Sequence, residues 1–297
     1  MSIAFSAILF ELSNVSPETG AFFRCLFALP PLYLLVLWED RRLGPRPLRG
    51  RLFAYLAGSF FAADLILWHH AIEAVGAGLS TVLGNTQVVL VGLLAWVLLG
   101  ERPSNRSLAS IPIVLFGVVL ISGVVGSGAY GSNPRLGAVL GVLTAISYAG
   151  FLLSLREGNA DQRRPAGPLF DATLTAAVGV ALYSVPTGKL DLTPGLAALG
   201  WLLLLALSSQ VVGWLLISIS LPRLPAVVTS ILLTLQPVAT VILAALILGE
   251  EPSPLQLVGA AMILSGLVLT SARGRRRRAP APRPAPAGPE PRSSEAS

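Results

Sequence analysis

Residues 80–103, STVLGNTQVVLVGLLAWVLLGERP, return later in the chain as residues 229–252, TSILLTLQPVATVILAALILGEEP. An offset of 149 residues aligns the two copies without a gap, and 15 of the 41 pairs from 80/229 to 120/269 are identical. The identities include Gln87 with Gln236 and the Gly-Glu-x-Pro-Ser ending of each copy. Apolar helices resemble one another by chance, but these shared polar residues indicate an internal duplication.

The composition is that of a membrane protein. The chain of 297 residues is 54% hydrophobic and 12% charged, with a mean hydropathy of +0.73. A water-soluble domain carries about 25% charged residues. The apolar residues form long runs, and a membrane-spanning helix needs about 20 of them. We therefore expect several helices in a lipid bilayer, each satisfying its own backbone hydrogen bonds.

Other classes of protein fit poorly. The net charge of +6 comes from arginines in loops and tail, so nucleic acid is not an expected partner. The single cysteine, Cys25, lies in an apolar run and allows neither a disulfide framework nor a Cys/His metal site. A Gly-rich phosphate loop is also absent from the sequence. We expect no cofactor and no bound metal.

The apolar runs predict an all-α membrane protein with ten transmembrane helices in two five-helix repeats. The predicted spans lie near residues 3–12, 21–38, 52–70, 75–99, 108–125, 136–155, 168–187, 196–221, 226–248 and 255–271. The first is too short to cross a bilayer, so we expect a first helix shortened at its N-terminus. A cleaved signal peptide is the alternative, although the basic start and small-x-small cleavage site are missing.

The arginines predict the orientation. With both termini in the cytoplasm, eleven arginines fall in cytoplasmic loops, whereas only Arg135 and Lys189 fall outside. Seven more arginines lie in the tail. The expected location is the plasma membrane of a bacterium. The predicted domains are a first repeat at 1–126, a second at 136–272, and a disordered Arg/Pro-rich cytoplasmic tail at 273–297.

An odd number of spans per repeat has a mechanistic consequence, because the two halves must then lie in opposite orientations. Inverted repeats of this kind are a common plan of secondary transporters, with the substrate site between the halves near the middle of the membrane. Exchange of conformations between two similar halves moves the opening from one side to the other. The duplication therefore predicts alternating access.

Three short motifs point to a family. They are Ser16-Pro17…Phe23-Arg24, the segment LWHHAI at 67–72, and the Leu-Gly-Glu-x-Pro endings at 99–103 and 248–252. With these motifs, residues 1–272 resemble the drug/metabolite transporter superfamily, specifically its EamA-type members. The resemblance implies export or uptake of small metabolites, amino acids or drugs, often driven by an ion gradient.

Charged residues inside the predicted spans are functional candidates, since each costs about 2.5–3.5 kcal/mol at a helix centre. Asp64 lies in the third span, with Trp68 one turn further on the same face. This pair suits a cationic or aromatic substrate, or a proton site. An ion pair between Asp64 and Arg24, the one base inside the predicted spans, is the structural alternative. Glu11 is a second candidate partner for Arg24.

Three glutamines and Trp214 complete the predicted site. Gln87 and Gln236 occupy equivalent places in the two copies, and Gln210 lies one turn before Trp214 in the eighth span. We assign all four to substrate binding, with Asp64 and Trp68. A side-chain amide at membrane depth can equally hydrogen-bond a neighbouring helix, so helix–helix contact is the alternative for each glutamine.

Three further features have structural interpretations. His69 and His70 are adjacent and point about 100° apart, so solvated histidines are expected, with pH sensing as the alternative. Glu101 and Glu250 follow helix ends and are expected to cap a following helix or to bind a nearby loop. Gly137-x-x-x-Gly141 allows a close helix contact, which we expect inside the protein rather than at a dimer seam.

The leading hypothesis is a secondary transporter that exports small metabolites, such as amino acids or amphipathic compounds, across the cell membrane. Its partners are a small-molecule substrate, the lipid bilayer, and a proton or other ion as a candidate coupling ion. An importer of the same substrates and a non-transporting scaffold or sensor are the alternatives. An enzyme is not expected, because Asp64, His69 and His70 form a poor catalytic cluster. Monomer and homodimer both stay open.

Overall fold

A computed structural model of the protein describes residues 2–100, 104–159, 161–220 and 226–271. These ranges contain helices and no strand. The α-helices are α1 (Ser6–Ser13), α2 (Pro17–Leu43), α3 (Leu48–Val75), α4 (Ala77–Gly84), α5 (Gln87–Leu99), α6 (Asn105–Ile121), α7 (Pro134–Gly158), α8 (Ala166–Thr187), α9 (Leu196–Leu205), α10 (Trp214–Ser220), α11 (Ala226–Leu243) and α12 (Pro254–Ser271). A 3-10 turn, Ser2–Phe5, precedes α1, and π-helical segments, Ala206–Gly213 and Ala244–Leu248, follow α9 and α11.

Length and composition make five of these segments long enough to cross a bilayer. They are Pro17–Leu43, Leu48–Val75, Pro134–Gly158, Ala166–Thr187 and Leu196–Ile219. Shorter apolar helices within the described ranges are Ile3–Ser13, Ala77–Val91, Asn105–Ile121, Leu235–Leu248 and Pro254–Thr270. The all-α membrane fold is therefore confirmed, and the segments follow the predicted order. Glu101, Arg223 and the tail from 273 lie outside the described residues.

Helices of the first half pack against helices of the second. The main contacts join α3 to α7 and α8, α2 to α8, and α6 to α12. Small residues allow the closest of these approaches. A Cβ atom on Gly117 of α6 would lie 2.7 Å from the carbonyl oxygen of Gly259 in α12. Gly137 and Gly141 lie against Val75 and Leu83, so that motif serves packing inside the protein.

Two of the apolar segments are interrupted. Between α4 and α5 the helix breaks at Asn85, whose side-chain amide donates to the carbonyl oxygen of Thr81 at 2.8 Å. An asparagine that bonds its own backbone in this way competes with the regular helix. In the eighth segment the π-helical stretch contains Gln210. Such wide turns are frequent at functional sites.

One end of the bundle, which we term the arginine-rich end, is formed by the loops at 44–47 and 161–165. Glu39 of α2 accepts hydrogen bonds from the backbone N–H groups of Ala166 and Gly167, both at 2.9 Å, and so caps α8. Arg46 forms a 2.8 Å ion pair with Asp171, also in α8. These contacts join the two halves at this end.

The opposite end is formed by the turns at 14–16, 188–195 and 249–253. There Glu250 accepts hydrogen bonds from the backbone N–H groups of Ala77, at 2.5 Å, and Gly78, at 3.0 Å. Burial raises the pKa of the Glu250 carboxyl above its usual range, and these two bonds act in the contrary direction. Glu250 therefore caps α4 of the first half rather than α12, the helix that follows it.

Candidate functional site

A small cavity lies between the two halves of the bundle. Its volume is about 70 Å³, and its walls come from both halves. A site for a small molecule typically measures about 300–1,000 Å³, so the cavity is smaller than such a site in this conformation. The side chains around it are Ile3, Ser6, Arg24, Phe61, Asp64, Leu65, Trp68, Thr81, Asn85, Thr144, Tyr148, Trp214 and Gln236, together with Gly84.

Arg24 is held by side chains from three other segments. Its Nε donates to Oε1 of Gln210 at 3.1 Å, and its Nη1 donates to the hydroxyl of Ser6 at 3.0 Å. Its guanidinium carbon lies 5.7 Å from the centre of the Trp68 ring, within the range of a cation–π contact. Arg24 is only 4% exposed, so these contacts replace water as its solvation.

Asp64 lines the same cavity and is 8% exposed. Within the described part of the chain, Asp64 accepts no hydrogen bond and does not form an ion pair with Arg24. The cavity therefore contains one cation and one acid, and neither neutralises the other by direct contact. Buried charges in proteins are generally paired, so this arrangement leaves both groups available for a ligand, an ion or a proton.

Aromatic rings form one wall of the cavity. The Trp214 ring meets Phe151 edge-on, with ring centroids 5.0 Å apart, and Tyr148 lies 5.9 Å from Trp214 in a similar arrangement. Trp214 Nε1 and the hydroxyl of Thr144 are buried and have no hydrogen-bond partner. An indole N–H is a donor only, so a ligand acceptor or a water molecule would satisfy it.

The other candidates from the sequence lie in different places. Gln236 is on the cavity wall, whereas Gln87 is buried at the start of α5, away from the wall. Gln210 is 0% exposed and lies behind Arg24 rather than on the wall. Glu11 faces a separate cavity of about 600 Å³ at the opposite end, beside Glu73 and Glu250. The roles of these residues stay predictions.

The two histidines differ in surroundings. His69 is fully buried, with Nδ1 2.6 Å from the carbonyl oxygen of Leu65 and its ring edge-on to Phe10. His70 is partly exposed and lies 3.6 Å from Glu18 and 3.5 Å from Glu73. Among the described residues, no group of three or more His, Cys, Asp or Glu side chains is arranged for a metal ion.

Several cavity residues were absent from the sequence-based site. The seventh helix, α7, supplies Thr144 and Tyr148, which are spaced by four residues and so share one face. Two polar residues at that spacing in an apolar helix are a usable signal. Ser6 and Thr173 carry no comparable signal, because a hydroxyl in a membrane helix commonly bonds its own backbone.

Comparison with known proteins agrees with this architecture. A model of the EamA-like transporter family matches residues 1–123 and 135–272. Two proteins of Bacillus subtilis (strain 168) are similar. Uncharacterized transporter YwfM is 26% identical over 252 residues, covering 82% of this chain and 80% of that protein. Uncharacterized transporter YxxF is 26% identical over 268 residues, covering 89% and 84%.

The fold also has a counterpart among solved structures. One crystal structure superposes with a TM-score of 0.60, covers 90% of this chain and 92% of its own, and is 16% identical in sequence. At that identity the likeness concerns the fold alone. The match to the family model covers nearly the whole of the described helical bundle. The chain belongs to the EamA-like transporter family.

Proposed function

We propose that the protein is a secondary transporter that exports small metabolites, such as amino acids or amphipathic compounds, by alternating access. The observation that supports this most is the cavity between the halves, where Arg24 and Asp64 are buried without contacting each other. A zwitterionic or amphipathic solute offers groups for both charges, and the rings of Trp68, Tyr148 and Trp214 suit its apolar part.

Transport requires the cavity to enlarge. A volume of about 70 Å³ lies below the range of about 300–1,000 Å³ that is typical of small-molecule sites. A metabolite therefore enters only when helices of the two halves separate at one end. At the opposite end, Glu250 accepts hydrogen bonds from the backbone of α4, and these bonds hold the two halves together there. Exchange of conformations between inverted halves would open each end in turn.

The orientation and location belong to the same proposal. With the arginine-rich end in the cytoplasm of a bacterium, both termini are cytoplasmic and the opposite end faces outward. The carboxyl of Asp64 is the candidate site for a coupling proton, because it is an acid on the cavity wall that has no hydrogen-bond or ion-pair partner among the described residues. An ionisable residue inside a membrane protein commonly marks an ion or substrate pathway.

Metabolite release from cells tests the proposal. Cells that express the wild-type chain, Asp64→Asn, or the double variant Gln87→Ala with Gln236→Ala would be loaded with amino acids and dipeptides. Mass spectrometry would then profile the medium. Glu251→Gln is the matched control, because Glu251 is an exposed acid at the opposite end and away from the cavity.

Selective release of one compound class by wild-type and control cells, with loss of release in Asp64→Asn, is the expected result. Faster depletion of a compound from the medium would instead indicate an importer. If none of the four strains released a tested compound beyond the level of cells that lack the protein, with equal amounts of protein in the membrane, export of the tested compounds would be excluded and a scaffold or sensor favoured.

A further inference from the structure

The guanidinium of Arg24 is fixed in orientation on one side and free on the other. Nε bonds Gln210 and Nη1 bonds Ser6, so two edges of the planar group are anchored to protein. Among the described residues, Nη2 has no hydrogen-bond partner, and Arg24 lines the cavity. A planar guanidinium with one free edge can donate to a carboxylate or another oxyanion.

Gln210 uses both ends of its amide inside the protein. Its Oε1 accepts from Arg24, and its Nε2 donates to the hydroxyl of Thr173 at 3.2 Å. Because an arginine only donates, the amide oxygen must face Arg24, and the orientation of the amide is fixed by this contact. Gln210 and Thr173 are both 0% exposed, so neither reaches a molecule in the cavity.

The local backbone explains how Gln210 reaches this place. It lies in the π-helical segment Ala206–Gly213, where the wider turn changes the direction in which side chains leave the helix. The segment packs against α2, the helix of Arg24. A π-helical turn is less favourable than a regular one, so its presence at the contact with a buried arginine indicates a positional requirement.

We propose that Arg24 is the anion subsite of the transported molecule and that Gln210, with Thr173 and Ser6, is the set of positioning residues that aims its guanidinium into the cavity. The inference rests on the proposed function and adds a chemical requirement to it: the substrate carries a carboxylate or a similar planar oxyanion. Gln210 acts through Arg24 and does not touch the substrate.

Among the described residues, no acid contacts the guanidinium of Arg24 directly. Asp64 is on the same cavity and is not ion-paired with Arg24, so the guanidinium charge is not neutralised by direct contact. The Arg24 guanidinium carbon lies 5.7 Å from the centre of the Trp68 ring, and this contact does not use the Nη2–H donors as hydrogen-bond donors.

Binding of small carboxylates to the purified protein tests the inference without any transport step. The probes are propionate and propionamide, which have nearly the same shape and differ in charge. Tryptophan fluorescence is the readout, because Trp68 and Trp214 line the cavity. Wild-type protein is expected to give a saturable response to propionate and none to propionamide at the same concentration, with ionic strength held constant by chloride.

Two substitutions separate positioning from structural support. Gln210→Ala removes the acceptor of Arg24, and we expect propionate binding to weaken by about tenfold or more, the size of one lost charge-assisted hydrogen bond. Gln210→Glu keeps an acceptor beside Arg24 but supplies a competing negative charge. We therefore expect Gln210→Glu to bind propionate more weakly than Gln210→Ala. Its thermal stability should nevertheless be closer to that of the wild type, because it keeps the acceptor beside Arg24.

If Gln210 has only a structural role, the order of propionate affinities is reversed: Gln210→Glu binds propionate about as well as the wild type, and Gln210→Ala binds it more weakly. That order would overturn the inference, as would equal responses to propionate and propionamide or the absence of a saturable response in folded wild-type protein. Thr173→Val is the milder control, since it leaves Arg24 bonded and loosens only Gln210. Propionate binding without metabolite release from cells would refute the proposed transport and leave the anion subsite standing.

Discussion

Removal of the Glu250 carboxylate should open the boundary between the halves at the opposite end of the bundle. Glu250 is 5% exposed and accepts two backbone hydrogen bonds from the start of α4. Glycines leave room for its carboxylate: a Cβ on Gly76 would lie 2.9 Å from it, and one on Gly78 would lie 3.1 Å away. A larger residue at either glycine would therefore crowd the Glu250 carboxylate.

The magnitude follows from the two bonds. Hydrogen bonds to charged groups contribute about 1.5–3 kcal/mol each, so their loss in Glu250→Ala removes about 3 kcal/mol or more from the closed arrangement. Since about 1.4 kcal/mol corresponds to a factor of ten, the open form should become about a hundredfold more populated. Glu250→Gln keeps one acceptor and should give an intermediate increase.

Cysteine labelling measures this population. The single native cysteine, Cys25, is buried and would be replaced by serine. A cysteine in place of Thr81, which is 4% exposed and lines the cavity one turn into α4, reports on opening. A membrane-impermeant thiol reagent added outside intact cells should then label Thr81→Cys up to about a hundredfold faster in Glu250→Ala.

Glu251→Ala is the control for this experiment, because Glu251 is the neighbouring acid and is exposed. It should leave the labelling rate unchanged. A rate in Glu250→Ala within twofold of the parent, for protein that is folded and present in the membrane, would refute the argument that this contact holds the end closed. Labelling only from the other side of the membrane would refute the proposed orientation.

Other parts of the structure give three further predictions. Asp171→Asn should lower thermal stability, measured in detergent, by about 3–5 kcal/mol, because it leaves the buried guanidinium of Arg46 unpaired, and adding Arg46→Gln should recover part of the loss. Gly117→Val should also destabilise the protein, by 1–3 kcal/mol or more through overpacking, whereas the same change at exposed Gly200 should have little effect on packing. Arg163 lowers the pKa of Asp161 to about 2 from 3.8, so the stability advantage of wild type over Asp161→Asn should be present above pH 4 and vanish between pH 4 and 2.

The sequence predicted the helices well because a membrane imposes a simple rule. Each crossing segment must satisfy its own backbone, so a long apolar run becomes a helix, and its bounds fall where charged residues or Gly and Pro begin. The same rule predicts that an acid in such a run faces the interior. Asp64 does so, and Trp68, Trp214 and Gln236 lie around the same cavity.

The places of Gln87 and Gln210 could not be derived in this way. Helical periodicity counted across residues 80–99 assumes one continuous helix, but the break at Asn85 changes the direction of the α5 side chains relative to α4. Gln210 meets Arg24 across 186 positions in the chain, within a π-helical turn that single-sequence patterns do not indicate. Contacts of this kind depend on how the halves pack.

The contact of Glu250 also depends on how the halves pack and could not be derived from the sequence. A glutamate just before a helix is expected to cap that helix, and α12 begins at Pro254. The carboxylate instead reaches the start of α4, in the other half of the chain. Knowledge of the duplication alone therefore identifies which residues are equivalent, whereas the structure identifies which equivalent residues meet.

The offset of the duplication extends beyond the copied segment. Helices α2 and α8 begin at Pro17 and Ala166, and α6 and α12 begin at Asn105 and Pro254, in each case 149 residues apart. By that offset Arg24 corresponds to Thr173, so Gln210 bridges two equivalent positions of the halves.

The two halves therefore have equivalent helices but carry different side chains at equivalent positions. At the same offset Asp64 corresponds to Gly213, and both cavity charges come from the first half. The second half contributes Trp214 and Gln236, an aromatic ring and an amide. In a protein that works by exchanging the conformations of its halves, a substrate held by both charges would stay with the first half, while the side chains of the second half close over it and separate from it. Under the proposed mechanism, backbone symmetry would provide the two openings, and side-chain asymmetry would give the bound molecule one orientation.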